Sequence, residues 1–594
     1  MLRKLLLTGI FCCLVSELIS QFPAAEIIQY KTSCVLEHGN LVTEVSCLIQ
    51  INSIQGEIFS DINIDYQKGE KLKILEARLE DLYGNPIRNI KENEIFEKNK
   101  YTGSYYTDFM TRSFSLKHNK YPYRIFYHFV KSSDSFIYIT DWNPTLGNIP
   151  VKNAELIVEF PENVNVMILE EKINHYTSTI ENKTKLTWHS SNFKMIRKEQ
   201  WAVPFLDGIL PHVRVIPVSF FYGMAGNQST WKEFGKWVYD LNENLDNLPE
   251  NEKKRLDALI QSVDDTYEKI EILYKDHQDR NQYRNIALGT GGYKCFPASY
   301  VVENGYGDCK ALCNYMKAVL KYAGIESNLA LVYSGQAINK IEKNFTSSQF
   351  NHVILCVPGI KNDTVWLECT SKCNPVGYLG AKTQGRYALV ISENDSKLVL
   401  TPSLYKSDVT RIENWEVNVD TSEISEMRVL INLKGDDFDH ACNLIQLYDN
   451  KSLENQIRTY FYFGDFSITE WSLERESSSS DQINLQANLT VNMFQKNFND
   501  YIVASVIKMD IPYIKDPQQR LYPVRINYPI HKKQELSYHL NDHLTIYNVP
   551  KDTIIDDKYG MYRFQSKKTN SHYNIQKEFI LYKGDISLSD YSGF

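Results

Sequence analysis

Several features are scarce in the 594-residue sequence, and each scarcity removes a class of protein. Basic excess is missing: 65 Lys and Arg stand against 73 Asp and Glu, for a net charge of -8. No basic stripe interleaved with aromatics occurs, so the electrostatic footprint of a nucleic-acid binder is absent. Beyond the N-terminus no run approaches the roughly eighteen uninterrupted apolar residues of a spanning helix, and the chain is expected not to cross a membrane. Cysteine is too thin for a disulfide scaffold. After residue 20 the cysteines are Cys34, Cys47, Cys295, Cys309, Cys313, Cys356, Cys369, Cys373 and Cys442, an odd set that leaves at least one thiol free even in an oxidising compartment. Cys34 and Cys47 have the spacing to bridge a hairpin. There is no internal repeat and no low-complexity tract.

What is present begins with an address. Arg3 and Lys4 precede an apolar run from Leu5 to Val15, and small residues follow between Ser16 and Ser20, the pattern of a cleavable export signal over residues 1–20. The protein is therefore expected outside the cytoplasm, in the periplasm or beyond and associated with the cell envelope.

Three units are expected after the signal. Residues 21–225 alternate in the β manner, for example in Tyr121 to Phe129, Phe136 to Thr140 and Glu155 to Phe160, and read as a β-sandwich-like domain. Its histidines, His128, His189 and His212, are isolated. Gly223 to Thr230 reads as a linker. Thr230 and Glu233 then open a helix whose face carries Trp231, Phe234, Trp237, Val238 and Leu241, and Leu256 to Ile270 continues as a second helix. Strands follow at Ser327 to Tyr333, Asn351 to Val357 and Thr364 to Cys369, giving an α+β unit over 226–395. Residues 396–594 return to β, with candidate strands such as Trp415 to Val419 and Ser537 to Tyr547 and a short helix near Phe438 to Tyr448. No catalytic constellation appears in either flanking unit.

The chemistry concentrates in the middle. From Cys309 the apolar residues Leu312, Cys313, Met316, Val319, Leu320 and Ala323 recur at helical spacing until Gly324. Cys309 thus sits in or just before the first turn, where free backbone N–H groups and the helix dipole favour a thiolate. His352 stands in the strand Asn351 to Val357 and Glu368 in the strand Thr364 to Cys369. A thiol needs a base, and the base needs an acceptor on its other ring nitrogen. Cys309, His352 and Glu368 supply those groups in that order. A zinc set drawn from Cys309, Cys313, His352, Cys369 and Cys373 lacks clean four-ligand spacing, so no metal or cofactor is expected. Gly289 to Gly292 lacks the strand and helix of a phosphate cradle and reads as a turn. A disulfide between Cys295 and Cys369 is conceivable on proximity to the site, but no spacing pairs them.

The order Gly307-Asp308-Cys309-Lys310, then Asn351-His352-Val353, then Trp366-Leu367-Glu368-Cys369-Thr370, resembles the transglutaminase-like superfamily, whose core is papain-like. The layout of a β domain, this core and a second β domain is similar to exported bacterial proteins carrying a DUF3857 domain. The resemblance implies an α+β fold, a papain-like transglutaminase core flanked by two β-sandwich-like domains, with Cys309 as nucleophile, His352 as general base and acid, and Glu368 as orienting carboxylate. Two departures stand out: Glu368 occupies a position that is usually Asp, and Lys310 is followed by Ala311 rather than Asp. The implied activity is acyl transfer at amide bonds of a peptide or protein substrate, as peptidase, amidase or crosslinker. The alternative is a catalytically silent binding or assembly protein of the envelope. The oligomeric state is not readable.

Overall fold

The computed structural model describes residues 23–99, 105–107, 109–146, 148–196, 199–204, 208–287, 292–336, 338, 340–360, 363–498, 501–513, 520–541, 543–547, 549–569 and 571–593. The expected export signal and most of the Gly289 to Gly292 turn lie outside them. The described chain is mostly β, with helices gathered in the middle and beside the last broad sheet.

Alternation builds the first region. Tyr123–Ser133 buries every second side chain over most of its length, the signature of a strand with one face on a core. It belongs to an eight-stranded sheet ordered 175–180, 183–193, 151–161, 25–37, 40–51, 123–133, 71–80, 86–89. Only the pair Ala25–Glu37 with Val151–Pro161 is parallel. Two three-stranded sheets contribute Ile62, Ile64, Phe114, Trp142, Val213 and Val215 to the same core, so this region is layered β. The expected hairpin of Cys34 and Cys47 exists, but Cys34 pairs with Thr43 and Cys47 with Tyr30. The two thiols occupy different rungs and both are free. The expected strand from Phe136 to Thr140 is irregular: only Thr140 enters a strand, Thr140–Trp142.

Gly223 is a turn rather than part of a linker. It lies at φ +74° between the strands Ser219–Tyr222 and Met224–Asn227. Phe220 of this hairpin packs against Trp237, with ring centroids 5.0 Å apart. Helix α1, Trp231–Leu241, starts where Thr230 Oγ1 accepts the Glu233 N–H at 3.2 Å. The single helix expected over 256–270 is two, α2 Glu250–Ile260 and α3 Thr266–Arg280. Asp265 accepts the Glu268 N–H and so starts α3 afresh. Helices α4, Ala298–Asn304, and α5, Cys309–Tyr322, follow.

A five-stranded antiparallel sheet, ordered 363–367, 352–360, 328–332, 387–390, 397–400, completes the middle. The last two strands were not apparent in the sequence, and the fifth lies beyond residue 395, where the middle unit was expected to end. Val353, Leu355 and Val357 share one core with α5, while Ile354, Cys356 and Trp366 fill a smaller core on the other face.

The final region has its own eight-stranded sheet, ordered 466–475, 482–492, 424–434, 410–419, 530–540, 572–581, 560–568, 553–556. Its core partners are helical: Phe438, Ala441 and Leu444 of α6, Asp436–Leu447, and Leu453 and Ile457 of α7, Asn450–Ile457. This differs from the expected sandwich, because the apolar stripe of α6 covers sheet that a second β layer would otherwise cover. The strand expected to reach Tyr547 ends at Leu540. The first and last regions also touch. Arg525 N–H donates to the Trp201 carbonyl at 2.8 Å, and Glu199 accepts from the Leu521 N–H at 2.8 Å.

The entry to α5 is tight. Gly305 ends α4 in the left-handed region at φ +67°, and a Cβ on Gly307 would lie 2.8 Å from the Ala311 Cβ. A Gly307→Ala substitution is therefore expected to destabilise the protein by about 1–3 kcal/mol through overpacking. Denaturant unfolding of the variant beside the wild type measures it.

Candidate active site

Asp308 is the N-cap of α5, and its Oδ1 accepts the Ala311 N–H at 2.8 Å. That contact fixes the first turn and with it Cys309, which is 8% exposed. His352 is the first residue of its strand, at the end nearest the start of α5, and Glu368 follows directly on the strand Asp363–Leu367. Glu368 was expected within that strand. Its place just outside releases its backbone from the ladder and lets a turn set its direction.

The three residues meet. His352 lies near enough to Cys309 to lower its thiol pKa, and His352 Nε2 lies 2.9 Å from Glu368 Oε2 and 3.1 Å from Oε1. With Nε2 committed to the carboxylate, Nδ1 is the ring nitrogen left for the thiol. Glu368 Oε1 also accepts from Thr370 Oγ1 at 2.5 Å and from Thr370 N–H at 3.1 Å.

Burial opposes every charge in this group, and the group overrides it. For Cys309, burial raises the thiol pKa, but the neighbouring His352, with Lys310, brings it below its ordinary value. For His352, burial favours the neutral ring, yet the Glu368 charge and the Cys309 contact hold its pKa well above normal. For Glu368, burial is outweighed by His352 and Thr370, and its carboxyl is held low. Lys310 is itself buried, with Nζ 2.6 Å from Asp308 Oδ2.

A second tier of residues was not apparent in the sequence. Helix α3 presents Tyr274, His277 and Gln278 to the turn after Glu368. Tyr274 Oη donates to the Glu368 carbonyl at 2.8 Å, His277 Nε2–H to the Cys369 carbonyl at 2.9 Å, and Gln278 Nε2 to the Asn374 carbonyl at 2.8 Å. Asn281 Nδ2 donates to His277 Nδ1 at 3.2 Å, which sets the tautomer. The only trace in the sequence is the spacing of these polar residues at 274, 277, 278 and 281, one face of a helix.

The remaining cysteines divide. Cys313 donates to the Val353 carbonyl at 3.3 Å and neighbours Cys369 rather than leaving Cys369 to Cys295. Cys373 lies against Cys442. All nine thiols are free. Among the described residues no group of three or more His, Cys, Asp or Glu is arranged to hold a metal ion.

Comparison with known proteins adds family and fold. Residues 37–197 match the family model described as Domain of Unknown Function with solved-structure structure (DUF3857). The first β-rich region is DUF3857-like. Residues 487–594 match a second model with the same description, DUF3858. No curated protein matches the chain. Among solved structures, one described as a "putative protease" from Parabacteroides distasonis aligns over 96% of this chain and 95% of that chain, with TM-score 0.63 and 12% identity. The chain shares that fold. An M1 zinc metallopeptidase from Deinococcus radiodurans aligns over 33% of this chain and 43% of that chain, with 9% identity and TM-score 0.17, and carries no argument.

Two outcomes follow from the electrostatics. Iodoacetamide alkylation of Cys309 should titrate below the pH of an ordinary thiol. In His352→Ala burial is left to dominate, and the rate at pH 7 should drop about tenfold or more, a shift of at least one pKa unit. Peptide mass spectrometry after timed labelling reads both. His277, buried and neutral, has its pKa pushed down to about 4 by burial. The unfolded chain binds this proton first, so the group's contribution is complete above the unfolded value near 6.5 and is lost as pH falls toward 4, about 3 kcal/mol in all. His277→Gln, which can keep both hydrogen bonds, should flatten the acid-side loss of melting temperature across that window.

Proposed function

We propose that the chain is a cysteine enzyme of acyl transfer, in which Cys309 is the nucleophile, His352 the general base and acid, and Glu368 the carboxylate that orients His352. The observation that carries the reading is the buried contact chain from Cys309 at a helix N-terminus through His352 to Glu368 at 2.9 Å. On this reading residues 226–395 with the adjoining fifth strand are a papain-like transglutaminase core, and residues 21–225 and 396–594 flank it. The resemblance of the core motifs and the shared fold support that division.

The reaction runs on these groups alone. His352 Nδ1 takes the Cys309 proton, and the thiolate attacks an amide carbonyl carbon of a peptide or protein. The backbone N–H groups of Cys309 and Lys310, which have no intrahelical partner in the first turn, are the donors available to the developing oxyanion. The imidazolium protonates the leaving amine, and a thioester remains on Cys309. His352 then deprotonates water, giving hydrolysis, or a second amine, giving a crosslink. Glu368 stays ionised throughout and stabilises the imidazolium. The extra methylene relative to Asp is accommodated because Glu368 lies off the strand end, with Thr370 fixing the carboxylate.

A silent binding or assembly role is the second reading, and the low exposure of Cys309 and His352 favours it. The site of action is proposed to be extracytoplasmic on the strength of residues 1–20. The test is a panel of unfolded proteins incubated with the full chain, with and without a fluorescent primary amine, and analysed by mass spectrometry. Cleavage, deamidation or amine incorporation should occur with wild type and vanish in Cys309→Ala. Glu368→Gln should retain a hundredth or less of the rate, since the imidazolium loses its counter-charge. Products identical in wild type and Cys309→Ala would leave the silent scaffold.

A further inference from the structure

Outside the Cys309 site, a second pair of thiols lies where the middle and last regions meet. Cys373 is on the turn after Glu368, and Cys442 is on α6. Cys373 packs against the core that holds Cys442, and the two thiols are close enough to perturb one another's titration. Gln446 Nε2, one turn further along α6, donates to Cys373 Sγ at 3.3 Å. Cys442 is buried, whereas Cys373 reaches the surface.

Both sides of this contact are pinned. On the turn, Ser371 Oγ accepts the Cys373 N–H at 3.2 Å and the Asn374 N–H at 3.1 Å. On α6, Asp439 accepts the Ala381 N–H at 2.7 Å and the Tyr378 hydroxyl at 3.0 Å. The thiols are therefore held together by backbone fixed on each side.

We propose that Cys373 and Cys442 form a thiol–disulfide exchange site that takes a low-molecular-weight disulfide and closes into a covalent link between the Glu368 turn and α6. Cys373 is the attacking thiol. The neighbouring Cys442 thiol, with Gln446 and Arg475, brings its pKa down to about 7 against burial and the nearby Asp439 carboxylate. With glutathione disulfide as the oxidant, the Cys373 thiolate attacks one sulfur, forming a mixed disulfide and releasing one glutathione thiolate. Cys442 loses its proton to solvent, and its sulfur attacks Cys373 Sγ, releasing the second glutathione. The balance is two protein thiols and one glutathione disulfide giving one protein disulfide and two glutathiones. The proposal does not depend on any chemistry at Cys309, and peptide mapping separates the two sites.

The test incubates the full chain in glutathione buffers of graded oxidation, quenches with an alkylating agent and maps unreduced peptides by mass spectrometry. In wild type the Cys373 and Cys442 peptides should become linked together, with mixed disulfide at Cys373 only transient. Cys442→Ala, which keeps an apolar side chain in the core, should trap glutathione on Cys373. Cys373→Ser should leave Cys442 unmodified. The linked wild type should melt several degrees higher than the reduced form and lose that gain on adding dithiothreitol. Persistent mixed disulfide at Cys373 in wild type, or a Cys373 that stays free in excess glutathione disulfide, overturns the proposal. So does linkage of either cysteine to a different partner.

Discussion

The arrangement around Cys309 depends on one buried ion pair, His352 with Glu368. Either member alone would lose its charge to burial: the carboxyl would hold its proton and the imidazole would shed its own. Together, with His352 2.9 Å from Oε2 and Thr370 on Oε1, they reverse both tendencies. The desolvation cost of such a pair is recovered only where the geometry is good and spare lone pairs are bonded. The turn from Glu368 to Asn374 meets that demand, which explains why so much of the surrounding polar structure converges on it.

That convergence comes from distant parts of the chain. Tyr274, His277 and Gln278 approach from α3 and hold backbone carbonyls of the turn, and Cys442 and Gln446 meet it from α6. The carboxylate is thus positioned from two sides by elements about ninety residues before it and about seventy after it. The last region acts as a wall of the site's support rather than as an appendage.

What the sequence discloses and what it hides follow from range. Helix α5 was readable because its start and stop are local: Asp308 caps it, its apolar stripe lies on one face, and Gly324 ends it at φ +76°. Thr230 and Glu233 marked α1 for the same reason. The three chemical residues were readable because their types are rare in this pattern. Hidden were contacts that pair polar residues across the fold. The face formed by Tyr274, His277 and Gln278 is visible only once α3 has somewhere to donate, and the partner of Cys373 lies in another region. The break between α2 and α3 was masked because the apolar spacing carries across it, while Asp265 caps a new helix inside the run. The two extra strands, Tyr387–Val390 and Lys397–Leu400, are four residues each, too short for alternation to declare itself.

The two broad sheets share one trait with a consequence for how the chain is made. Each is joined in its middle by a parallel pair, Ala25–Glu37 with Val151–Pro161 and Thr410–Val419 with Ile530–Leu540. A hairpin partner for the earlier strand arrives within a few residues, but its other side stays an open hydrogen-bonding edge until the distant strand has been synthesised. The contact between Gln200 and Arg520, 320 residues apart, waits until nearly all of the chain before the last four strands of the second broad sheet has been made. Such non-local pairing is slow, and unfinished edges invite association with other chains. The nascent protein therefore passes through two sticky intervals in succession, each ended by the arrival of a single strand, and these are the intervals in which a holding chaperone has a surface to protect.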